Sequence, residues 1–221
     1  MGVGTQKRIV SQPELSIING VYPLYEERSI MSKLDILNII IKLLVLDNAQ
    51  GLDKPAVKAH LNEVASAIYA EGGVKAGVPH ERLISLAYNE SRFGYKYVGT
   101  GTYPKTSWGA CGVYQQVPAY STIPTTCDKL GKNIRHATKV AVGYLKYMRA
   151  RWKVSNTDKM DTLMCHYYSG NTCDVEAKGY ASRHKKIRLK AISLVGKKKV
   201  VVGKKKVLVA SRKKGLPPAT I

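Results

Sequence analysis

From residue 95 to residue 126 the chain stops reading as a helix. On both sides apolar residues recur at three- and four-residue spacing, but here Gly, Thr, Tyr, Pro and Ser dominate and that period disappears. A chain divided this way is expected to fold as a helical body with an irregular loop or small β-ribbon set between its helices. The 221 residues suffice for one medium domain with extensions, and 44% hydrophobic residues with 14 tyrosines can form a real core.

The helical parts carry their own punctuation. Residues 1–31, with Pro13 and Pro23, show no sustained period and read as an irregular arm. Ser32 is a candidate cap for a helix over roughly 33–47, closed by Asn48–Gly51. Asp53 and Pro55 signal a second start, and Gly72–Gly73 a stop. Pro79 opens a third helix, for which Gly94 is the natural end. Helices resume near Asn133, with Ala137, Ala141, Tyr144, Leu145, Met148 and Trp152 marking one face. Asp158 is placed as the cap of a short helix through Tyr168, stopped by Ser169–Gly170, and Asp174 as the start of a last one reaching Leu194. The resulting division is an N-terminal arm and helix (1–52), a main domain (53–194) and a Lys-rich tail (195–221).

Charge is segregated. Residues 183–221 hold 14 Lys/Arg and no acid, out of a net +21 for the whole chain. Such a tail favours polyanions (nucleic acid, teichoic acid, lipopolysaccharide or anionic lipid) without choosing among them, or serves as a solvated extension. Within it VGKKKV at 195–200 recurs at 202–207, a pattern that allows a hairpin or edge pairing. The apolar run ILNIIIKLLVL at 36–46 is too short to span a bilayer. The N-terminus lacks the apolar core of a signal peptide, so work outside a cell would need another delivery route. Cys111, Cys127, Cys165 and Cys173 permit three disulfide pairings, of which the local one (111–127, 165–173) suits an oxidising compartment. Free buried thiols are the alternative. A zinc site from Cys165, His166 and Cys173 lacks the expected CxxC knuckle.

Glu90 continues the apolar stripe of Leu83, Leu86 and Ala87 near the end of the third helix, and no acid follows it until Asp128. Such a carboxylate can reach for water or pair with Arg92. It can also be a general acid, because apolar surroundings disfavour its ionised form and let it hold a proton for a leaving oxygen. Most glycosidases set two carboxylates across the bond, about 5–5.5 Å apart for retention and roughly 6.5–9.5 Å for inversion. Here the local stretch offers no second acid, leaving only distant residues such as Asp128, Asp161 or Asp174.

Three segments in order carry a resemblance: Glu90–Ser91 at a helix end, then Ser107-Trp-Gly-Ala-Cys-Gly112-Val-Tyr114-Gln115 with Pro118, then His166-Tyr167-Tyr168-Ser-Gly170 followed by Tyr180-Ala181. Over residues 54–190 they resemble the soluble lytic transglycosylase domain, which is goose-lysozyme-like. Val113-Tyr114 stands where that family has Leu-Met, and Tyr168 where it has asparagine. The resemblance implies a mainly α, lysozyme-like fold with a small irregular or β subdomain beside a glycan cleft. It implies Glu90 as the single acid/base, with Ser91, Tyr114, Gln115 and Tyr167 contacting substrate or orienting the acid.

It also implies cleavage of the bond between N-acetylmuramic acid and N-acetylglucosamine in peptidoglycan. The sugar's own C6 hydroxyl closes a 1,6-anhydro ring, with no metal or organic cofactor. A goose-type hydrolytic lysozyme and a structural or DNA-binding protein on the same scaffold are the competing expectations. The expected setting is a bacteriophage virion protein that opens the wall during genome entry, its tail contacting DNA, other virion proteins or wall polymers.

Overall fold

The computed structural model describes residues 31–73, 75–153, 160–170 and 173–195, and these form seven α-helices. They are α1 (Lys33–Leu46), α2 (Pro55–Glu71), α3 (His80–Ser91), α4 (Cys127–Lys132), α5 (Ile134–Arg151), α6 (Met160–Ser169) and α7 (Val175–Leu194). Their ends follow from side-chain chemistry. Ser32 and Asp35 form a reciprocal capping box at α1, Asn133 accepts from the His136 N–H at α5, and Asp174 from the Ala177 N–H at α7. At α2 the cap position is Lys54 rather than Asp53, and Pro55 takes the first turn, where its missing N–H costs nothing. The cap placed at Asp158, the arm and the repeated tail motif lie outside the described residues, apart from Met31 and Val195.

Of the two forms expected for residues 95–126, the irregular loop is the one observed: no strand forms among the described residues. The segment after Tyr97 is irregular, held by isolated bridges of Cys111 to Lys105 and to Gln116 and by a 3-10 turn at Pro118–Tyr120. One feature departs from the sequence expectation: the short helix α4 precedes the expected restart at Asn133. Gly131 inside it serves packing, since a Cβ there would sit 2.1 Å from the Tyr103 ring.

Helices α1, α2, α3 and α5 share one apolar core containing Ile40, Leu44, Leu61, Ile68, Leu86 and Val140. A second, polar core joins α3, α6 and α7. Asp161 accepts from Arg82 Nη1 at 2.5 Å and from the Arg188 fork at 2.8 and 3.1 Å. These paired guanidiniums hold the Asp161 carboxyl below its ordinary value despite its burial. One helical turn further, Ser85 Oγ lies 3.1 Å from the His184 ring, and burial keeps that imidazole neutral. The two cysteine pairs are local: Cys111–Cys127 and Cys165–Cys173 are disulfides, with Cα atoms 5.3 and 5.4 Å apart.

Because Asp161 compensates two buried cations, Asp161→Asn should destabilise the fold by about 3–5 kcal/mol. The exposed pair Asp128–Lys132 is screened by solvent, so changing Asp128 to Asn should leave stability close to that of wild type. Urea denaturation of the two variants beside wild type measures both.

Candidate active site

Glu90 occupies the last turn of α3, and the backbone then reverses sharply. Arg92, Phe93 and Gly94 all take left-handed conformations, with φ of 51°, 61° and 71°. Two of these are not glycine, so the turn is strained and needs outside support. Arg92 supplies part of it, donating to Asp47 at 2.7 Å and to the Tyr88 carbonyl at 2.7 Å. A His60 ring nitrogen, 2.7 Å from the Phe93 carbonyl, supplies another part. Arg92 is therefore committed to Asp47 and does not pair with Glu90.

Glu90 opens into a cleft of about 1100 Å³. The irregular segment forms one wall, through Trp108, Gln115 and Tyr120; α5 and α6 form the other, through Tyr144 and Tyr167. Among the described residues Glu90 is the only acid lining it. Tyr180 of α7 donates its hydroxyl to Glu90 Oε1 in a short hydrogen bond. Desolvation pushes the Glu90 carboxyl up to about 7 from its ordinary 4.5, and the Tyr180 bond opposes that rise. At neutral pH the group is thus poised between holding a proton and accepting one.

The expected site residues divide between cleft and core. Gln115 and Tyr167 line the same cleft as Glu90. Gln115 has φ of 45° and donates its side-chain amide to the Gly112 carbonyl at 2.8 Å. Gly112 is required there, since a Cβ would meet the Leu130 carbonyl at 2.2 Å. Tyr167 donates its hydroxyl to the Tyr114 carbonyl at 2.9 Å, so it braces the loop wall rather than bonding Glu90. Ser91 lies outside the lining and donates to the Val113 carbonyl at 2.8 Å, stitching the end of α3 to the Gln115 loop. Tyr114 is fully buried with its hydroxyl 3.2 Å from Thr138, and only its main chain meets a site residue.

Tyr180, which follows the third motif, is the direct partner of Glu90 in the structure. Its position six residues into α7, after the Asp174 cap, was the available signal. The three distant acids are engaged elsewhere: Asp161 in the polar core, Asp174 at its cap, and Asp128 with Lys132. Cys165, His166 and Cys173 do converge, their ligand atoms within 4.8 Å of one another, but the two sulfurs are joined as a disulfide. No described helix is long and apolar enough to cross a membrane.

Comparison with protein-family models, with curated proteins and with solved structures found no match for this chain.

Two outcomes follow from the raised Glu90 pKa. Removing the Tyr180 hydroxyl in Tyr180→Phe takes a donor from the carboxylate and should raise that pKa further, as read by carbon-13 NMR of labelled glutamate. Folding favours the protonated group, so wild-type stability should fall as pH climbs from about 4.5 through about 7. The full difference is worth about 3 kcal/mol. Glu90→Gln, which stays neutral, should flatten that fall in thermal unfolding followed across the same pH range.

Proposed function

We propose that the protein is a lytic transglycosylase that cuts the glycan strands of peptidoglycan, built on a lysozyme-like helical fold. The observation that carries the reading is a single cleft carboxylate held near pKa 7, with every other candidate acid among the described residues occupied elsewhere. Most retaining and inverting hydrolases use a second carboxylate as nucleophile or to activate water. A transglycosylase does not, because the substrate brings its own nucleophile.

In this reading protonated Glu90 gives its proton to the oxygen linking N-acetylmuramic acid to N-acetylglucosamine. The C1–O bond breaks and an oxocarbenium-like centre develops at C1. The muramyl C6 hydroxyl then bonds to C1, and its proton passes to the Glu90 carboxylate, which restores the acid. Tethering of the C6 hydroxyl to the same ring replaces a positioned water, since intramolecular attack has a high effective molarity. Tyr180 holds the carboxylate in place and moderates its basicity. Gln115 offers an amide to the sugar at the loop wall. Both disulfides flank the cleft, one in the Gln115 loop and one beside Tyr167, which fits service in an oxidising, extracytoplasmic setting.

The competing reading, a goose-type hydrolase, shares the acid and differs in needing a remote base. Catalytic assignment of Glu90 is tested by zymography on peptidoglycan. Glu90→Gln should clear at least about a hundredfold more slowly than wild type, the usual scale of a lost general acid. Equal clearing by the two proteins would remove Glu90 from the reaction.

A further inference from the structure

Trp108 stands at the tip of a turn built to hold it outward. The Thr106 N–H donates to the Ala110 carbonyl at 2.9 Å and the Gly109 N–H to the Thr106 carbonyl at 3.1 Å. The Ala110 N–H is taken by Thr106 Oγ1 at 3.1 Å. Gly109 has φ of 81°, which lets the chain reverse directly after the tryptophan. At its base the turn is tied down by the Lys105–Cys111 bridge and by the disulfide from Cys111 to the start of α4. A rigid, internally satisfied turn therefore presents one indole, 89% exposed, to the cleft that contains Glu90.

Leaving an indole bare forfeits the large apolar burial that an aromatic side chain can supply. The exposure is also not scattered. Of the strongly exposed aromatic residues described, only Tyr69 and Tyr97 lie away from this cleft. Within it, Trp152 stacks on His166 at 4.0 Å, Tyr168 on Tyr180 at 5.1 Å and Tyr147 on Tyr144 at 6.3 Å. Trp108 and Tyr120 keep open ring faces, with no ring partner among the described residues.

Thr106, Ser121, Arg151 and His166 also line the cleft, so its aromatic surfaces are interspersed with polar ones. A lipid or apolar peptide would want a continuous greasy patch. A pyranose wants the opposite: flat C–H faces meet a π-surface while hydroxyls around the ring edge meet polar groups.

We propose that Trp108 is a stacking platform for one pyranose ring of the glycan strand at the cleft rim, and so governs how tightly the polymer is held. The inference rests on the glycan-cleaving reading above. Its test is calorimetric titration of N-acetylglucosamine tetramer into the full chain and into Trp108→Ala and Trp108→Tyr, with circular dichroism to confirm folding. Trp108→Ala should weaken binding about tenfold or more, the scale of an exposed aromatic anchor at a recognition site, and raise KM for peptidoglycan in the same proportion. Trp108→Tyr, which keeps a ring face, should retain most of the affinity. If Trp108→Ala binds the tetramer as wild type does, the platform is wrong while glycan cleavage by Glu90 stands. If wild type neither binds the tetramer nor degrades peptidoglycan, the glycan reading and the platform fall together.

Discussion

Asp161 accepts hydrogen bonds from two buried arginines on different helices, and the site geometry hangs from that junction. Arg82 lies eight residues before Glu90 on α3, and Arg188 eight residues after Tyr180 on α7. Eight residues of helix rise about 12 Å, so the two helices run in opposite directions over matched lengths. Ser85 and His184 meet between the two ends. Clamping Arg82 to Arg188 through Asp161 therefore sets the register at which the Tyr180 hydroxyl meets Glu90. Asp161 belongs to α6, which also carries Tyr167, so one buried carboxylate orders the three helices that supply these residues.

The two acids at either end of this arrangement show opposite electrostatics. Asp161 is buried beside two cations, which win over desolvation and keep it ionised. No cation among the described residues compensates Glu90, so desolvation wins and the proton is held up to about pH 7. The ion pair supports architecture, while the unpaired carboxyl is available for chemistry. Arg92 would have erased the difference by turning toward Glu90. The left-handed turn after α3 and the salt bridge to Asp47 carry it away instead.

Much of the helical frame was legible because capping and periodicity are local. Ser32, Asn133 and Asp174 cap where their positions before apolar runs place them. Glu90 stood out because a carboxyl on an apolar stripe is costly without a reason. Less legible were features set by distant contacts. The packing of Tyr103 on Gly131 has no local signal, and Ser91 and Tyr114, which the resemblance places at the substrate, are instead taken up by the Val113 carbonyl and by Thr138. Tyr180 and Trp108 were in view as residues, but one needed the α3–α7 register and the other the exposed turn before either had a use.

If Glu90 acts without a water-activating partner, as proposed, the oxygen source of the product separates intramolecular attack from hydrolysis. Purified peptidoglycan digested in water enriched in oxygen-18 and examined by mass spectrometry should yield muramyl ends one water lighter than hydrolysed ends and free of label. Reducing ends carrying oxygen-18 would show that water, not the C6 hydroxyl, attacks C1, and would overturn the proposed transglycosylase reaction.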